Sequence, residues 1–185
     1  MIKSSEIKKI VNDYSDVKIG VLGSHSALEV MDGAKDENFE TTVFCQKGRE
    51  RPYQRFNRIA DQIVVLDKFK DMASAKNQKM LRDSNTIVVP HRSLTVYLGY
   101  KTIEDKFKVP IFGNRKLFQA EERTAKKGQY YLLEKARIKY PKLFKDPKRI
   151  NKPSIVKVQE KKRPLERAFF TVSSYKDYLP RRQYR

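Results

Sequence analysis

The sequence predicts an α/β fold built on a mainly parallel sheet, with a smaller region of helices and antiparallel strands after it. Three observations predict this. Through residue 114, short apolar runs alternate with helix-compatible segments, the order a doubly wound sheet requires. Two of those runs end in the only two histidines of the chain, His25 and His91. Beyond Gly113-Asn114 the alternation stops and the charge balance changes.

Taken in order, residues 4–13 read as an amphipathic helix and 17–22 as a buried strand. A helix over 26–35 is entered through Gly23-Ser24-His25-Ser26. Strands follow at 40–46 and at 62–66, Gln-Ile-Val-Val-Leu. Lys76 to Arg82 continue a helix, 85–89 form a fourth strand that ends at Pro90-His91, and Val109-Pro110-Ile111-Phe112 is a short fifth strand. Residues 116–139 contain no proline and one glycine, which favours one or two helices. Residues 154–158 and 167–172 alternate as an antiparallel pair.

At 185 residues with 39% hydrophobic content, the chain can bury a real core. No apolar run approaches the ~18 residues of a membrane span, and Met-Ile-Lys-Ser-Ser-Glu-Ile-Lys-Lys-Ile starts a helix rather than a signal peptide. A soluble cytoplasmic protein without a membrane partner is expected. The single cysteine, Cys45, cannot form an internal disulfide and reads as a buried strand residue without catalytic activation. The net charge of +19 is uneven: residues 1–114 carry 19 basic against 15 acidic side chains, and residues 115–185 carry 22 against 7. Such a field attracts polyanions, nucleotide phosphates or an acidic surface.

In an open α/β sheet, ligands bind beyond the carboxyl ends of the strands. A lone histidine there reads as a helix cap or a turn closure, but two with the same placement, each followed by a serine (Ser26 and Ser93), point to one shared site. The segment Lys47-Gly48-Arg49-Glu50-Arg51-Pro52-Tyr53-Gln54-Arg55-Phe56 reads as a basic loop after the second strand, suited to a nucleotide monophosphate or to a solvated surface. Gly23-Ser24-His25 is not a GxGxxG cradle, which argues against a nicotinamide cofactor.

Leu22-Gly23-Ser24-His25-Ser26, Lys47-Gly48-Arg49 with Pro52-Tyr53 and Arg55-Phe56, Val88-Val89-Pro90-His91 with Ser93, and Val109-Pro110 with Phe112-Gly113-Asn114-Arg115 resemble, in order, an archaeal family. That family is the formate-dependent synthetases of 5-formaminoimidazole-4-carboxamide ribonucleotide (FAICAR), ligases of purine biosynthesis with an ATP-grasp architecture. The resemblance implies a Rossmann-like pre-ATP-grasp domain at 1–115 that binds the aminoimidazole carboxamide ribonucleotide (AICAR), and a partial ATP-grasp domain at 116–185. It implies formate, ATP and Mg²⁺ as co-reactants, with formate joined to the 5-amino group of AICAR. By position it places AICAR on Ser24, His25 and Ser93, with Lys47 and Arg49 contributing, and ATP phosphates on Lys157.

Two departures stand out. Where the family has a glycine-rich loop after the lysine strand, residues 158–167 contain no glycine, so backbone amides are not expected to fold over a triphosphate. The chain ends at Arg185, about half-way through the family pattern, so the acidic Mg²⁺ ligands are expected outside it. Alternatives are a non-catalytic nucleotide-binding descendant and an RNA-binding module whose Tyr130, Tyr131, Phe144, Phe169, Phe170 and Tyr175 stack on bases. Only weak, nonspecific nucleic-acid binding is expected, because those aromatics are spaced as core residues. Self-association is expected if part of the fold lies outside this chain and sheet surface is left uncovered.

Overall fold

Strands β1 (Lys18–Leu22), β2 (Glu40–Gln46), β3 (Gln62–Leu66) and β4 (Thr86–Val88) lie in the order β3-β2-β1-β4, and every neighbouring pair is parallel. These belong to a computed structural model that describes residues 1–121, 125–157 and 169–180. The chain divides into two units, Met1–Phe118 and Gln119–Arg185.

Period-two alternation explains the central strands. In β1 and β2, Leu22 and Phe44 face one core with Leu66, Phe69, Met72, Leu81 and Val88; Val21, Val43 and Cys45 face the other with Ala27, Met31 and Tyr53. Both faces are covered, which is why these strands read as continuous apolar runs. Cys45 is fully buried, and burial pushes its thiol pKa up, consistent with an inert strand residue. Helices α1 (Ser4–Asn12), α2 (Ala27–Asp36) and α4 (Ala75–Asp83) match the sequence expectation, and Ser74 caps α4 by accepting from the Asn77 amide.

Four local expectations change. The segment after β2 is not a loop throughout, because Arg51–Arg55 forms a short helix, α3, with Pro52 pre-setting φ in its first turn. The fourth strand is shorter than 85–89, since Asn85 turns with φ 53°. The fifth strand reduces to one parallel bridge, Val88 to Ile111, after which Gly113 turns the chain with φ 90°. Two helices, α5 (Arg92–Leu98) and α6 (Tyr100–Asp105), were not expected; they are split by Gly99 at φ 77°.

Arg115 anchors the end of this unit. Its guanidinium donates to the carbonyls of Ile103 (2.6 Å), Phe107 (2.7 Å) and Val109 (2.6 Å), tying the end of α6 to the segment that carries the bridge.

The second unit is described by itself. The expected run of 116–139 contains a 3₁₀ helix, Arg115–Glu121, that begins in the first unit, and α7 (Gln129–Lys135). Strands β5 (Ser154–Lys157) and β6 (Phe169–Val172) pair antiparallel, as expected, and α8 (Tyr175–Tyr178) follows. Phe144, Val156, Phe170 and Tyr175 pack on Ile150, Val172 and Tyr178. Three of the six aromatics weighed for base stacking thus pack half-buried against this core, whereas Tyr131 and Phe169 are exposed and depart from the expected core spacing. The glycine-free segment 158–167 lies outside the described residues. Among the described residues no helix is long and apolar enough to cross a membrane.

Candidate functional site

The strand order β3-β2-β1-β4 reverses direction between β1 and β4, so the crevice of this sheet opens beyond Leu22 and Val88. Both histidines lie there. The rings of His25 and His91 are stacked, with centroids 6.2 Å apart and planes at 25°.

His91 is fixed from two sides. Its Nε2 lies 2.8 Å from the carbonyl oxygen of Leu22, an acceptor only, and its Nδ1 accepts from the Ser93 amide at 3.3 Å. Those partners demand a neutral ring with its proton on Nε2. Burial pushes the pKa of His91 below the ordinary histidine value, opposed by the Leu22 carbonyl and assisted by the nearby His25. His91 thus does what a lone histidine would do, capping α5, and in addition ties the start of α5 to the end of β1.

The pH consequence has a definite sign. A histidine with a depressed folded pKa takes up protons more readily when unfolded, so its contribution to stability is complete above ~6.5 and is lost as pH falls toward the folded value. The melting temperature should decline below about pH 6.5, and His91→Asn should flatten that decline. Identical pH profiles for the two proteins would show that the ring protonates without penalty.

His25 has left-handed backbone, φ 49°, although it is not glycine. Such geometry costs on the order of 1 kcal/mol and concentrates where surrounding structure imposes it at functional sites. The side chain is exposed, with Nδ1 2.6 Å from the Ser26 hydroxyl; Nε2 has no hydrogen-bond partner among the described residues. The ring thus presents an open nitrogen beside a neutral, immobile one. Ser24 is half-buried in the same turn, and Ser93 is buried at the start of α5.

Gly23 makes this turn possible. A Cβ there would lie 2.9 Å from Cys45 Cβ and 3.0 Å from Tyr53 Cε2, while the Gly23 amide donates to the Phe44 carbonyl at 2.7 Å.

Lys47 and Arg49 follow β2, so the parallel topology puts them on the same edge of the sheet as the histidines. Both are exposed. The Lys47 amide extends the ladder to the Leu66 carbonyl. Gly48 has φ 85°, but its amide donates to the Glu50 carboxylate at 2.8 Å, so anion recognition in this segment falls to side chains rather than to backbone. Lys157 belongs to the other unit, exposed on β5 opposite Phe169.

Sequence reasoning singled out His25, His91, Ser24, Ser93, Lys47 and Arg49, and the topology gathers all six at one sheet edge. It gave no role to Ser26, although adjacency to His25 was a usable signal. Phe69 and Tyr97 carried no signal, because each reads as an ordinary apolar residue.

Residues 19–144 match a family described as Protein of unknown function (DUF1246). The chain is 41% identical over 158 residues to a 5-formaminoimidazole-4-carboxamide-1-(beta)-D-ribofuranosyl 5'-monophosphate synthetase of Methanobrevibacter smithii, covering 84% of this chain and 43% of that protein. It is 40% identical over 180 residues to the protein of that name from Methanothermobacter thermautotrophicus, covering 96% of this chain and 48% of that one. The crystal structure of an IMP biosynthesis protein, PurP, from Thermococcus kodakaraensis aligns with TM-score 0.57 and 25% identity over 83% of this chain and 48% of that chain. The chain spans about half the length of the curated relatives it matches.

Proposed function

The chain belongs to the DUF1246 family, and on that premise we propose that it supplies the AICAR-holding part of a FAICAR synthetase, the enzyme its relatives are named for, acting as a ligase that uses ATP and formate. Residues 1–115 are the pre-ATP-grasp, AICAR-binding domain, and residues 116–185 begin the ATP-grasp domain. The observation that carries the reading is the stacked pair of His25 and His91 at the switch point of the sheet.

The chemistry suits such a substrate. AICAR is a weak amine nucleophile carried on a ribose phosphate, and its reaction with an activated formate is chiefly a matter of orientation. His91, neutral and held by Leu22 and Ser93, gives a rigid wall. His25, with Nε2 open, orients the substrate by hydrogen bonding, and Ser24 and Ser93 offer hydroxyls beside it. Lys47 and Arg49 supply positive charge for the 5'-phosphate.

ATP and Mg²⁺ stand differently. Lys157 is exposed and fits one phosphate contact. Among the described residues no three His, Cys, Asp or Glu side chains come together as a metal-holding cluster.

Calorimetry with AICAR tests the reading. Wild-type protein is expected to bind, and His25→Ala to weaken binding by roughly 0.5 to 1.5 kcal/mol, the net worth of a hydrogen bond from an exposed side chain. Unchanged affinity in that variant would remove His25 from the site.

A further inference from the structure

We infer that Phe69 and Tyr97 position the Arg49 guanidinium as a phosphate clamp, so that this stack sets the preference for a nucleoside monophosphate over the bare nucleoside. The inference rests on the AICAR-binding reading above and deepens it.

The Arg49 guanidinium lies over the Phe69 ring, 5.6 Å from its centroid, inside the range of a cation–π contact. Phe69 is buried, and Tyr97 packs against it with centroids 4.4 Å apart. Phe69 itself is fixed at the head of a 3₁₀ helix, Phe69–Ala73, where the Asp71 carboxylate accepts from the Lys68 amide at 3.0 Å. The Arg49 amide donates to the Gln46 carbonyl at 2.9 Å, which sets where its side chain leaves the turn. Among the described residues no carboxylate pairs with Arg49; the nearby Glu50 is committed to the Gly48 amide.

Stacking engages the face of a guanidinium and leaves the N–H groups in its plane directed outward. A planar fork held at a fixed angle matches two phosphate oxygens, whereas an unrestrained arginine on a turn must first be ordered. Placement ties the stack to the histidines: Tyr97 rides on α5, the helix that His91 caps against β1. The end of β1 and the turn after β2 are thereby both tied to α5, the first through His91 at its start and the second through Tyr97 near its end. Among the described residues no ring stacks on Lys47, which makes it a diffuse contributor of charge.

The experiment compares calorimetric affinities for AICAR and for its dephosphorylated ribonucleoside in wild-type protein, Arg49→Gln, Arg49→Lys, Phe69→Leu and His25→Ala. Arg49→Gln is expected to lose roughly tenfold on the nucleotide and little on the nucleoside, as removal of a charge-assisted contact does. Arg49→Lys keeps the charge but not the stacked fork, and should still lose several-fold on the nucleotide alone. Phe69→Leu should reproduce the lysine result, with its melting curve showing that the fold persists; Arg49→Lys, altered only at an exposed side chain, carries the test should it not. His25→Ala should weaken both ligands together. An unchanged nucleotide-to-nucleoside ratio in both Arg49 variants, with His25→Ala still weakening both ligands, would overturn the clamp and leave the site reading standing. Failure of wild-type protein to bind either ligand would overturn both.

Discussion

Arg115→Ala should be the most destabilising single substitution outside the apolar core. Three carbonyls, those of Ile103, Phe107 and Val109, accept from this one guanidinium at 2.6 to 2.7 Å. Bonds from a charged donor contribute ~1.5–3 kcal/mol each, and because the group is only half-buried the combined loss is discounted to about 4 kcal/mol. The larger part comes from the carbonyls, which lose their partner where the chain leaves α6. Arg115→Lys should recover little, because one ammonium cannot span three acceptors in the guanidinium's geometry. Chemical denaturation of the full chain measures both, and a loss in Arg115→Ala below about 1 kcal/mol, the worth of a single ordinary hydrogen bond, would show that the carbonyls are satisfied otherwise.

Gly23→Ala should come next. Its new Cβ would sit 2.9 Å from Cys45 Cβ and 3.1 Å from Cys45 Cα, and only the third neighbour, the Tyr53 ring, can move aside. Neither backbone can yield freely, because the Gly23 amide is bonded to Phe44 and Cys45 lies in the middle of the sheet. Overpacking of this kind costs ~1–3 kcal/mol, and contact with a buried strand backbone puts this case near 3. AICAR binding should fall as well, since the turn displaced carries Ser24 and His25. Gly33→Ala is the matched control: it sits within α2 with nothing within 4 Å of its Cβ, and should stabilise the helix by about 0.5 to 1 kcal/mol. Equal melting temperatures for the two variants would refute the close-approach argument.

The parts of this fold that were legible in the sequence are those where one physical rule dominates. Strands β1 and β2 are apolar runs because both sheet faces are covered, while β3 at the sheet edge leaves Val65 exposed, and the histidines mark the ends of β1 and β4. Helices α5 and α6 were obscured because Gly99 breaks their pattern into two pieces, each too short to show a period. Helix α3 was hidden by its own composition, since Arg51 to Arg55 reads as a charged loop until Pro52 is taken as a first-turn residue. The site divides the same way. Positions beyond strand ends follow from topology, so the histidines and the basic residues after β2 could be named from the chain itself, while Ser24 and Ser93 entered as substrate contacts through the resemblance to the FAICAR synthetases. Contacts between residues distant in sequence could not: Arg49 on Phe69, Phe69 on Tyr97 and Arg115 on three backbone carbonyls leave no trace in composition or spacing.

The central claim is that the two histidines form one ligand site, and the chain has no other histidine. Imidazole nitrogen resonances recorded by NMR therefore contain two spin systems, and a titration with AICAR reads the site without ambiguity. Before ligand, His91 should show the neutral pattern with its proton on Nε2, as its bonds to Leu22 and Ser93 require. On titration both rings should shift along the same saturation curve, His25 the more because its Nε2 is open, and His91 should stay neutral. A complex that saturates while both sets of resonances remain in place would contradict the account and put AICAR elsewhere on the chain.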